Sequence, residues 1–441
     1  MSPDRRNSNI WLNLLIGVQL LTLTVFGIMT VSRFPVWSPI DEGAHYAYVQ
    51  EIAQHGRLPV LGKTYTSQAV LAITHHANPA HFYIDPTTQG LGGLSYEAFQ
   101  PPLYYAIAAP VFDAVPGYMN KVYALRAFDL LLLLLAAVLA LRLCRAVVPR
   151  HWRVVAPLVL SMFLLPGVVV RSVTISDEAL ELPIALLFTV TFLWAWSRPS
   201  ARRVAAVGAV LAACVLTQVL LLCLAPLFLA ALWRWWRHNR YSFADAGFLG
   251  SAAVLIGLPL VLVGPWLAFN EVHYHALTAS QLAVKLQTPI VNPKHVHFSV
   301  RNLPMDTVNR LWELLLPEEW NAAMAAHPQS IVNWLRGAVT VMLVPVLAVA
   351  MAAGGRKFLR NRVAWLAVPF LAVTAILWWI TYVSQWDVMI GRYTYAVLPE
   401  WALAGAVGMG ASGGRRFVVA LASTLTVVLI FTWVRLAGLF L

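Results

Sequence analysis

The first group of side chains that could carry chemistry begins at Asp41. The segment 38–49 reads Ser-Pro-Ile-Asp-Glu-Gly-Ala-His-Tyr-Ala-Tyr-Val, which places His45 four residues after Asp41. Apolar and aromatic residues recur behind them, so we predict a short helix over 41–54, and a helix would place both side chains on one face. A carboxylate and an imidazole on one face are suited to proton transfer. The alternative is that Asp41 and Glu42 only favour the positive end of the helix dipole.

A second group surrounds Glu97, within the sequence Tyr-Glu-Ala-Phe-Gln-Pro-Pro-Leu-Tyr-Tyr at 96–105. Pro101 and Pro102 are expected to end one segment and start another, because proline is tolerated in the first turn of a helix but not in its interior. The apolar run that follows is too short to cross a bilayer, and we expect it to dip into a membrane interface, where tyrosines are common. An aromatic membrane anchor explains the same residues and is compatible with a catalytic role.

A third group, Gly-Arg-Tyr-Thr-Tyr-Ala-Val-Leu-Pro at 391–399, contains Arg392. A cation at bilayer depth is costly, so Arg392 is expected to be paired or functional. Its planar fork suits phosphate oxygens, whereas snorkelling of the side chain to the interface is the competing explanation. Asp177 and Glu178 form a smaller acidic group, which is either the capped start of a helix or a further acid near a site.

Histidine pairs also occur, but they lack carboxylate or cysteine partners at the spacing of a metal site. We therefore interpret them as ordinary loop residues and predict no metal site from them. The histidines concerned are His75, His76, His81, His273, His275, His295 and His297.

These groups lie in a chain whose composition excludes a cytosolic globular enzyme. The sequence has 441 residues, of which 60% are hydrophobic and 11% charged, and its mean hydropathy is +0.70. Soluble domains carry about 25% charged residues. The net charge of +12 comes in short basic bursts between apolar runs. That distribution follows the positive-inside rule and argues against a nucleic-acid-binding face.

The apolar runs predict an all-α polytopic membrane protein with about 11 transmembrane helices in a single membrane domain over 1–441. We interpret the first run as a retained span, because it is too long for the core of a signal peptide. With the basic bursts in the cytoplasm, the N-terminus lies inside and the C-terminus outside. The predicted spans are 10–32, 122–145, 154–173, 178–197, 203–218, 219–236, 246–269, 332–353, 363–384, 395–412 and 417–440.

Two long segments, 33–121 and 270–331, then lie outside as loops that bear short interfacial helices. Loops of this length usually carry function. Acidic residues support the same conclusion, since only Asp4 and Asp245 fall in the predicted cytoplasmic segments. Membrane insertion does not require this asymmetry, so chemistry at the outer face is expected.

The order and sidedness of these groups resemble the GT-C glycosyltransferases, polytopic enzymes that take a sugar from a polyprenyl-phosphate carrier. The bacterial relatives of protein O-mannosyltransferase and of lipid A aminoarabinose transferase are the nearest comparison. Four sequence features carry the likeness: Asp41-Glu42 followed by Ala-His-Tyr and Gly-Arg-Leu-Pro, Gln-Pro-Pro-Leu-Tyr-Tyr at 100–105, Ser-Asp-Glu-Ala-Leu at 176–180, and Gly-Arg-Tyr with Leu-Pro at 398–399. One departure is Thr217-Gln218, where such proteins often have Thr-Lys.

This resemblance implies an inverting transfer of a sugar to a lipid, glycan or protein acceptor. Asp41 would be the general base or would orient the acceptor hydroxyl. Glu42 and Glu97 would position donor or acceptor, or hold a divalent ion (Mg or Mn) if one is used. Arg392, with help from Lys63 or Arg126, would neutralise the departing lipid phosphate. The expected pocket residues are His45, Gln100, Tyr104, Tyr105, Asp177 and Tyr393.

Two other functions fit parts of the sequence. A transporter or flippase of a lipid-linked or anionic solute would need acids within its spans, for which Asp129, Glu181 and Glu400 are candidates. A non-catalytic assembly subunit with the same fold is the third option. The basic bursts are typical of a bacterial inner membrane protein with its active site outside, surrounded by membrane lipids and without a nucleic-acid partner.

Overall fold

A computed structural model of the protein describes residues 3–34, 36–37, 42–67, 70, 95–239, 246–279, 282, 362–384, 393–411 and 414–440. Asp41, Arg392, the predicted span 332–353 and most of the loop 270–331 lie outside the described residues, as do five of the paired histidines, His75, His76, His81, His295 and His297. The regular elements of the described part are all helical.

The α-helices of the described part are numbered here in chain order. They are α1 (Pro3–Arg33), α2 (Glu42–His55), α3 (Leu103–Asp113), α4 (Tyr118–Val147), α5 (Trp152–Phe163), α6 (Pro166–Val173), α7 (Glu178–Ser197), α8 (Ala201–Thr217), α9 (Ala225–Asn239), α10 (Ala246–Tyr274), α11 (Val368–Ser384), α12 (Leu398–Ala411) and α13 (Arg415–Phe440). Short 3₁₀ helices cover Tyr96–Phe99, Val219–Leu224, Arg362–Ala367 and Tyr395–Val397.

Six helical segments of the described part are long and apolar enough to cross a membrane, and α5 with α6 makes a seventh if the bent pair is one span. The protein is therefore an all-α, polytopic membrane protein. The six are Ile10–Arg33, Tyr118–Val147, Glu178–Ser197, Val219–Asn239, Leu249–Tyr274 and Arg415–Val434. Helices α8, α11 and α12 are shorter and lie where three further spans are predicted. The count of eleven stays a prediction.

The predicted span 154–173 is broken rather than continuous. Helix α5 ends at Phe163, α6 begins at Pro166, and the two are bent by 67°. Leu165 is extended (φ −60°, ψ 125°), because the proline ring disfavours the helical conformation in the residue before it. A second break lies at Gln218, which is also extended (φ −152°, ψ 126°) and separates α8 from the 3₁₀ helix 219–224.

The spans pack into two apolar cores. One is formed mainly by α1, α4, α5, α6, α12 and α13, and the other by α7, α8, α9 and α11 with the start of α12. Within the first core, Gly27 of α1 lies against the Leu130 side chain of α4, in space that a side chain at Gly27 would occupy. Small residues of this kind allow helices in a bilayer to approach closely.

A polar link joins three helices of the first core. The Gln19 amide nitrogen of α1 lies 2.8 Å from the Pro157 carbonyl and 3.1 Å from the Ser161 hydroxyl of α5, and 2.8 Å from the Thr426 hydroxyl of α13. Gln19 is 1% exposed. An amide inside a membrane bundle needs such partners, because lipid offers none.

The described part of the first loop, which is predicted to lie outside, folds onto one end of this bundle. Helix α2 begins one residue after the start of the predicted helix 41–54 and packs along α3, which in turn packs on α4. Most side chains of α2, including those of His45 and Tyr48, are buried by protein. The two short helices thus form a layer that brings the residues of the loop against the ends of α4 and α7.

Candidate functional site

Eight of the predicted site residues come together at the end of the bundle that α2 and α3 cover. We call this group the outer polar cluster: Glu42, His45, Glu97, Gln100, Tyr104, Tyr105, Arg126 and Asp177. Its members come from α2, the 3₁₀ helix 96–99 and the residue after it, α3, α4 and the turn before α7. Side chains from four separate sequence segments therefore meet in one place.

Glu42 and Arg126 form a fully buried ion pair within this cluster. The guanidinium Nε lies 2.7 Å from Glu42 Oε1 and Nη2 lies 2.6 Å from Oε2. Arg126 Nη1 also donates to the Phe34 carbonyl at 2.7 Å. Such a forked, two-point contact is the strongest geometry for an arginine and a carboxylate.

The Glu42 carboxylate accepts further hydrogen bonds from backbone nitrogen atoms. Trp37 N lies 3.0 Å from Oε2, and Ile175 N lies 3.3 Å from Oε1. Trp37 has φ 60°, a left-handed conformation that costs a bulky residue about 1–2 kcal/mol. Glu42 and Arg126 thus tie the end of α1 and the turn before α7 to the start of α2.

The expected roles of both residues stay predictions, and the structure shows how each side chain is held. The Arg126 guanidinium, predicted to help neutralise the lipid phosphate, is buried and contacts Glu42 and the Phe34 carbonyl. Both oxygens of Glu42, predicted to position substrate or hold an ion, accept hydrogen bonds from Arg126 and from backbone N–H groups. The pair therefore fixes the backbone at the start of α2.

His45 lies between a tyrosine and an acid. Its Nδ1 atom is 2.7 Å from the Tyr105 hydroxyl and 3.9 Å from Asp177 Oδ1. Burial, followed by the nearby Asp177 charge, raises the pKa of Tyr105 well above its usual range. The phenol therefore keeps its proton and can donate it to Nδ1.

Tyr48 extends this arrangement toward Glu97. Its ring stacks on that of Tyr105, with centroids 3.8 Å apart and planes 7° apart. The Tyr48 hydroxyl donates to the Gln100 carbonyl at 3.2 Å, and the Gln100 amide donates to Glu97 at 3.0 Å. Tyr48 was not among the predicted site residues, although it lies one helical turn after His45 on α2.

Tyr104 has a different role from its neighbour. Its hydroxyl lies 3.0 Å from both carboxylate oxygens of Asp129 on α4. Tyr104 and Tyr105 are both fully buried, and their hydroxyls contact Asp129 and His45. Their expected pocket-lining role stays a prediction.

Asp177 connects the cluster to the bundle below. Gln218 donates to its Oδ2 at 3.3 Å, so the chain uses a neutral amide where the resemblance led us to expect a lysine. Next to it, Arg171 of α6 lies 3.5 Å from Glu178, and the Tyr395 hydroxyl donates to the Glu178 carbonyl. Asp177 precedes the first residue of α7, which fits the predicted helix start and also a location within the site.

The two remaining described candidates are Lys63 and Tyr393. Lys63 is exposed and follows Gly62, whose φ of +78° turns the chain. Two residues earlier, the Leu61 N–H donates to the Tyr274 hydroxyl at the end of α10 at 2.9 Å, which joins the first outer loop to the second. Tyr393 is half-buried and packs on the second core.

The next feature is the set of side chains that could bind a metal ion. Within the described ranges, no group of three or more His, Cys, Asp or Glu side chains could hold a metal ion. Glu42 does not fit an ion-binding role, because its oxygens already accept four hydrogen bonds. A divalent ion remains a prediction.

No protein-family model matches the sequence, and no curated protein matches it. It is similar to a solved structure of the Archaeoglobus fulgidus oligosaccharyltransferase tethered to an acceptor peptide with the NVT sequon. The identity is 15% and the TM-score 0.48, over 98% of this chain and 55% of that one. The same enzyme in complex with Zn and sulfate gives 17% and 0.42, over 94% and 52%.

A third similar structure is ArnT from Cupriavidus metallidurans bound to undecaprenyl phosphate. Its identity is 13% and its TM-score 0.41, over 91% of this chain and 79% of that one. The chain spans about half the length of the oligosaccharyltransferase chains it matches, 55% and 52%.

Proposed function

We propose that this chain transfers a sugar from a polyprenyl-phosphate donor to an acceptor hydroxyl at the outer face of the membrane. The observation that carries the proposal is the outer polar cluster, in which residues from α2, α3, α4 and the turn before α7 meet. Its first member, Glu42, directly follows Asp41 in the chain. Buried charges and amides in such density are costly in a membrane protein and mark functional sites.

In the proposed reaction, the Asp41 carboxylate takes the proton of the acceptor hydroxyl. The hydroxyl oxygen attacks the anomeric carbon from the side opposite the phosphate, so the carbon–oxygen bond to phosphate breaks with inversion. The electron pair leaves with the polyprenyl phosphate. The Glu42–Arg126 pair supports this step by fixing the first turn of α2, which follows Asp41 immediately.

The lipid phosphate leaves as an anion, so its departure needs cations that neutralise the negative charge more than an acid that protonates it. We assign this role to Arg392 and Lys63, with Tyr393 beside Arg392 in the chain. Lys63 is exposed on the same outer loop as the cluster. Glu97, Gln100 and Asp177 are then left to bind hydroxyl groups of the sugar or the acceptor.

The proposed orientation places the N-terminus in the cytoplasm and the cluster and the C-terminus outside, in a bacterial inner membrane. The basic bursts support it, because arginines accumulate at the cytoplasmic ends of spans. The acceptor would be a lipid, a glycan or a protein, and Glu97 is the described acid predicted to hold a Mg or Mn ion if one is used.

Native mass spectrometry of the detergent-purified protein with undecaprenyl phosphate tests the donor site. We expect the wild type to retain the lipid, Arg392→Ala to lose it and Asp41→Asn to keep it. Arg198→Ala is a matched control, because it removes the same side chain from the opposite, basic end of the bundle. Retention by none of the proteins above a neutral lipid, or equal loss in both arginine variants, would remove the donor from the proposal.

A transport function is the second candidate, and Glu400 favours it. This acid is fully buried in the first turn of α12 and accepts a hydrogen bond from Thr189 of α7 at 3.0 Å. Thr189 lies about three turns into α7, roughly 16 Å along the helix, so the pair lies deep in the bundle. Acids at such depth occur on transport pathways.

The two candidates differ in which acid they need. With the protein in liposomes, sugar transfer should be lost with Asp41→Asn and kept with Glu400→Gln. Movement of a fluorescent polyprenyl-phosphate analogue between leaflets, abolished by Glu400→Gln and unchanged by Asp41→Asn, would favour transport instead.

A further inference from the structure

At the end of the bundle opposite the outer polar cluster, two arginines lie on the ring of Trp152 and a third contacts the neighbouring His151. The Arg145 and Arg153 guanidinium groups lie over the Trp152 ring, 4.2 Å and 4.9 Å from its centroid. Arg415, at the start of α13, donates to His151 at 2.9 Å. We call Arg145, Arg153 and Arg415 the inner arginine cluster. Its members come from α4, α5 and α13.

Contacts with neutral groups hold these arginines in place. Arg153 Nε donates to the Asn13 side chain of α1 at 3.0 Å, and Arg415 uses the lone pair of His151. An arginine is always protonated in a protein, so His151 accepts this bond as a neutral ring. Neither contact neutralises a positive charge.

Acids are scarce on this side of the protein. Among the described residues, Asp4 at the start of α1 is the acid on this side. Two guanidinium groups on one indole repel each other, and the third positive charge adds to the local field. An anion therefore complements this surface. Each of the other described tryptophan–arginine contacts on this side, such as Arg237 on Trp233, has only one arginine on its ring.

The apolar surroundings indicate what kind of anion binds. Trp11 of α1 is 71% exposed and Phe417 of α13 is 54% exposed. Trp11 lies two residues before Asn13, Phe417 lies two residues after Arg415, and both helices pack on α5. Arg145 and Arg415 lie in the end turns of two helical segments that are long and apolar enough to cross a membrane. Cations at the ends of spans suit a ligand with a phosphate head and hydrocarbon chains better than a soluble anion.

We propose that the inner arginine cluster binds the phosphate of an anionic phospholipid, whose acyl chains run along the side chains of Trp11 and Phe417. Each arginine near an anionic headgroup strengthens lipid binding several-fold. The site is separate from the proposed donor site, since it lies at the other end of the spans. It would fix α1, α5 and α13 at the inner headgroup level.

The test compares two lipids with the same acyl chains in native mass spectrometry. We expect the wild type to retain dioleoylphosphatidylglycerol over dioleoylphosphatidylcholine. The double variant Arg145→Gln/Arg415→Gln should retain phosphatidylglycerol about tenfold less, since two headgroup contacts are lost. Inorganic phosphate at millimolar concentration should leave the bound lipid in place.

The matched control is Arg203→Gln/Arg237→Gln, which removes two charges from arginines over Trp194 and Trp233 on the same side. It should keep wild-type retention. Equal loss in both double variants would reduce the effect to general positive charge and overturn the site. Displacement by inorganic phosphate would also overturn the lipid assignment. If the double variant does not elute as a folded protein, the single charge reversal at the exposed Arg415, Arg415→Glu, should give the same loss.

Discussion

Arg126 and Glu42 neutralise each other and are fully buried, so removing either side chain leaves a buried charge without its partner. We expect Arg126→Gln to lower the free energy of unfolding by about 3–5 kcal/mol, because a buried carboxylate loses its partner. The measurement is equilibrium unfolding of the purified protein in detergent. Arg57→Gln is the control, since Arg57 pairs with Glu51 at 2.7 Å but is 70% exposed, and its loss should cost less than about 1 kcal/mol. Equal costs would show that the burial of the pair contributes nothing.

The Tyr105 hydroxyl should matter for chemistry more than for folding. Tyr105→Phe keeps the ring on Tyr48 but removes the group that lies 2.7 Å from His45. Under the proposed function, we expect the rate of sugar transfer to fall about tenfold or more through loss of positioning. The cost in stability should be only about 1 kcal/mol. Tyr48→Phe, which loses a bond to the Gln100 carbonyl, should keep most of the rate, and a larger loss of rate there would contradict this assignment.

For single residues, the sequence indicates which side chains lie in the same cluster but not which atoms form hydrogen bonds with each other. His45, Gln100 and Asp177 were predicted as site residues, and they do meet. The partner of Arg126 is Glu42, 84 positions away, and neither spacing nor composition encodes a contact over that distance. Asp129 was noticed as an acid within an apolar run, but its bond to Tyr104 depends on how α3 packs on α4.

Among the helices, Gln19 offers the clearest test of packing. Gln19→Leu removes an amide with three acceptors on α5 and α13. We expect a loss of about 1–2 kcal/mol in the free energy of unfolding, the usual size for polar links between membrane helices. Val18→Thr is the matched control, because Val18 is 46% exposed on the lipid side of the same helix. A larger effect for Val18→Thr than for Gln19→Leu would contradict the link.

The positions of the helices were predictable where apolar runs are long, but the break inside the predicted span 154–173 was not. The span predicted at 122–145 corresponds to α4 at Tyr118–Val147, because bilayer thickness sets both limits. The bend at Pro166 was missed, although a proline after an apolar run is a known signal. Average hydropathy does not register it, since the two halves taken together are apolar enough for one span.

For the whole molecule, the orientation in the membrane can be tested with single cysteines. The three natural cysteines, Cys144, Cys214 and Cys223, are buried, so the wild type should show little labelling. We expect a membrane-impermeant maleimide to label Tyr65→Cys in intact cells and Arg202→Cys only after lysis, because Tyr65 is 66% exposed on the first outer loop. Arg202 is exposed at the basic end. The reverse pattern would place the outer polar cluster in the cytoplasm.

The order of synthesis gives the Glu42–Arg126 pair a part in biogenesis. In the proposed orientation, α1 has already delivered Glu42 across the membrane when Arg126 emerges from the ribosome 84 residues later. Basic residues normally stay in the cytoplasm, and α4 has arginines near both of its ends, Arg126 and Arg145. The two ends of α4 therefore give opposite orientation signals during insertion. We expect Glu42, which is then already on the far side, to neutralise the charge of Arg126 as it does in the folded protein. Nascent chains without Glu42 should therefore insert α4 in both directions.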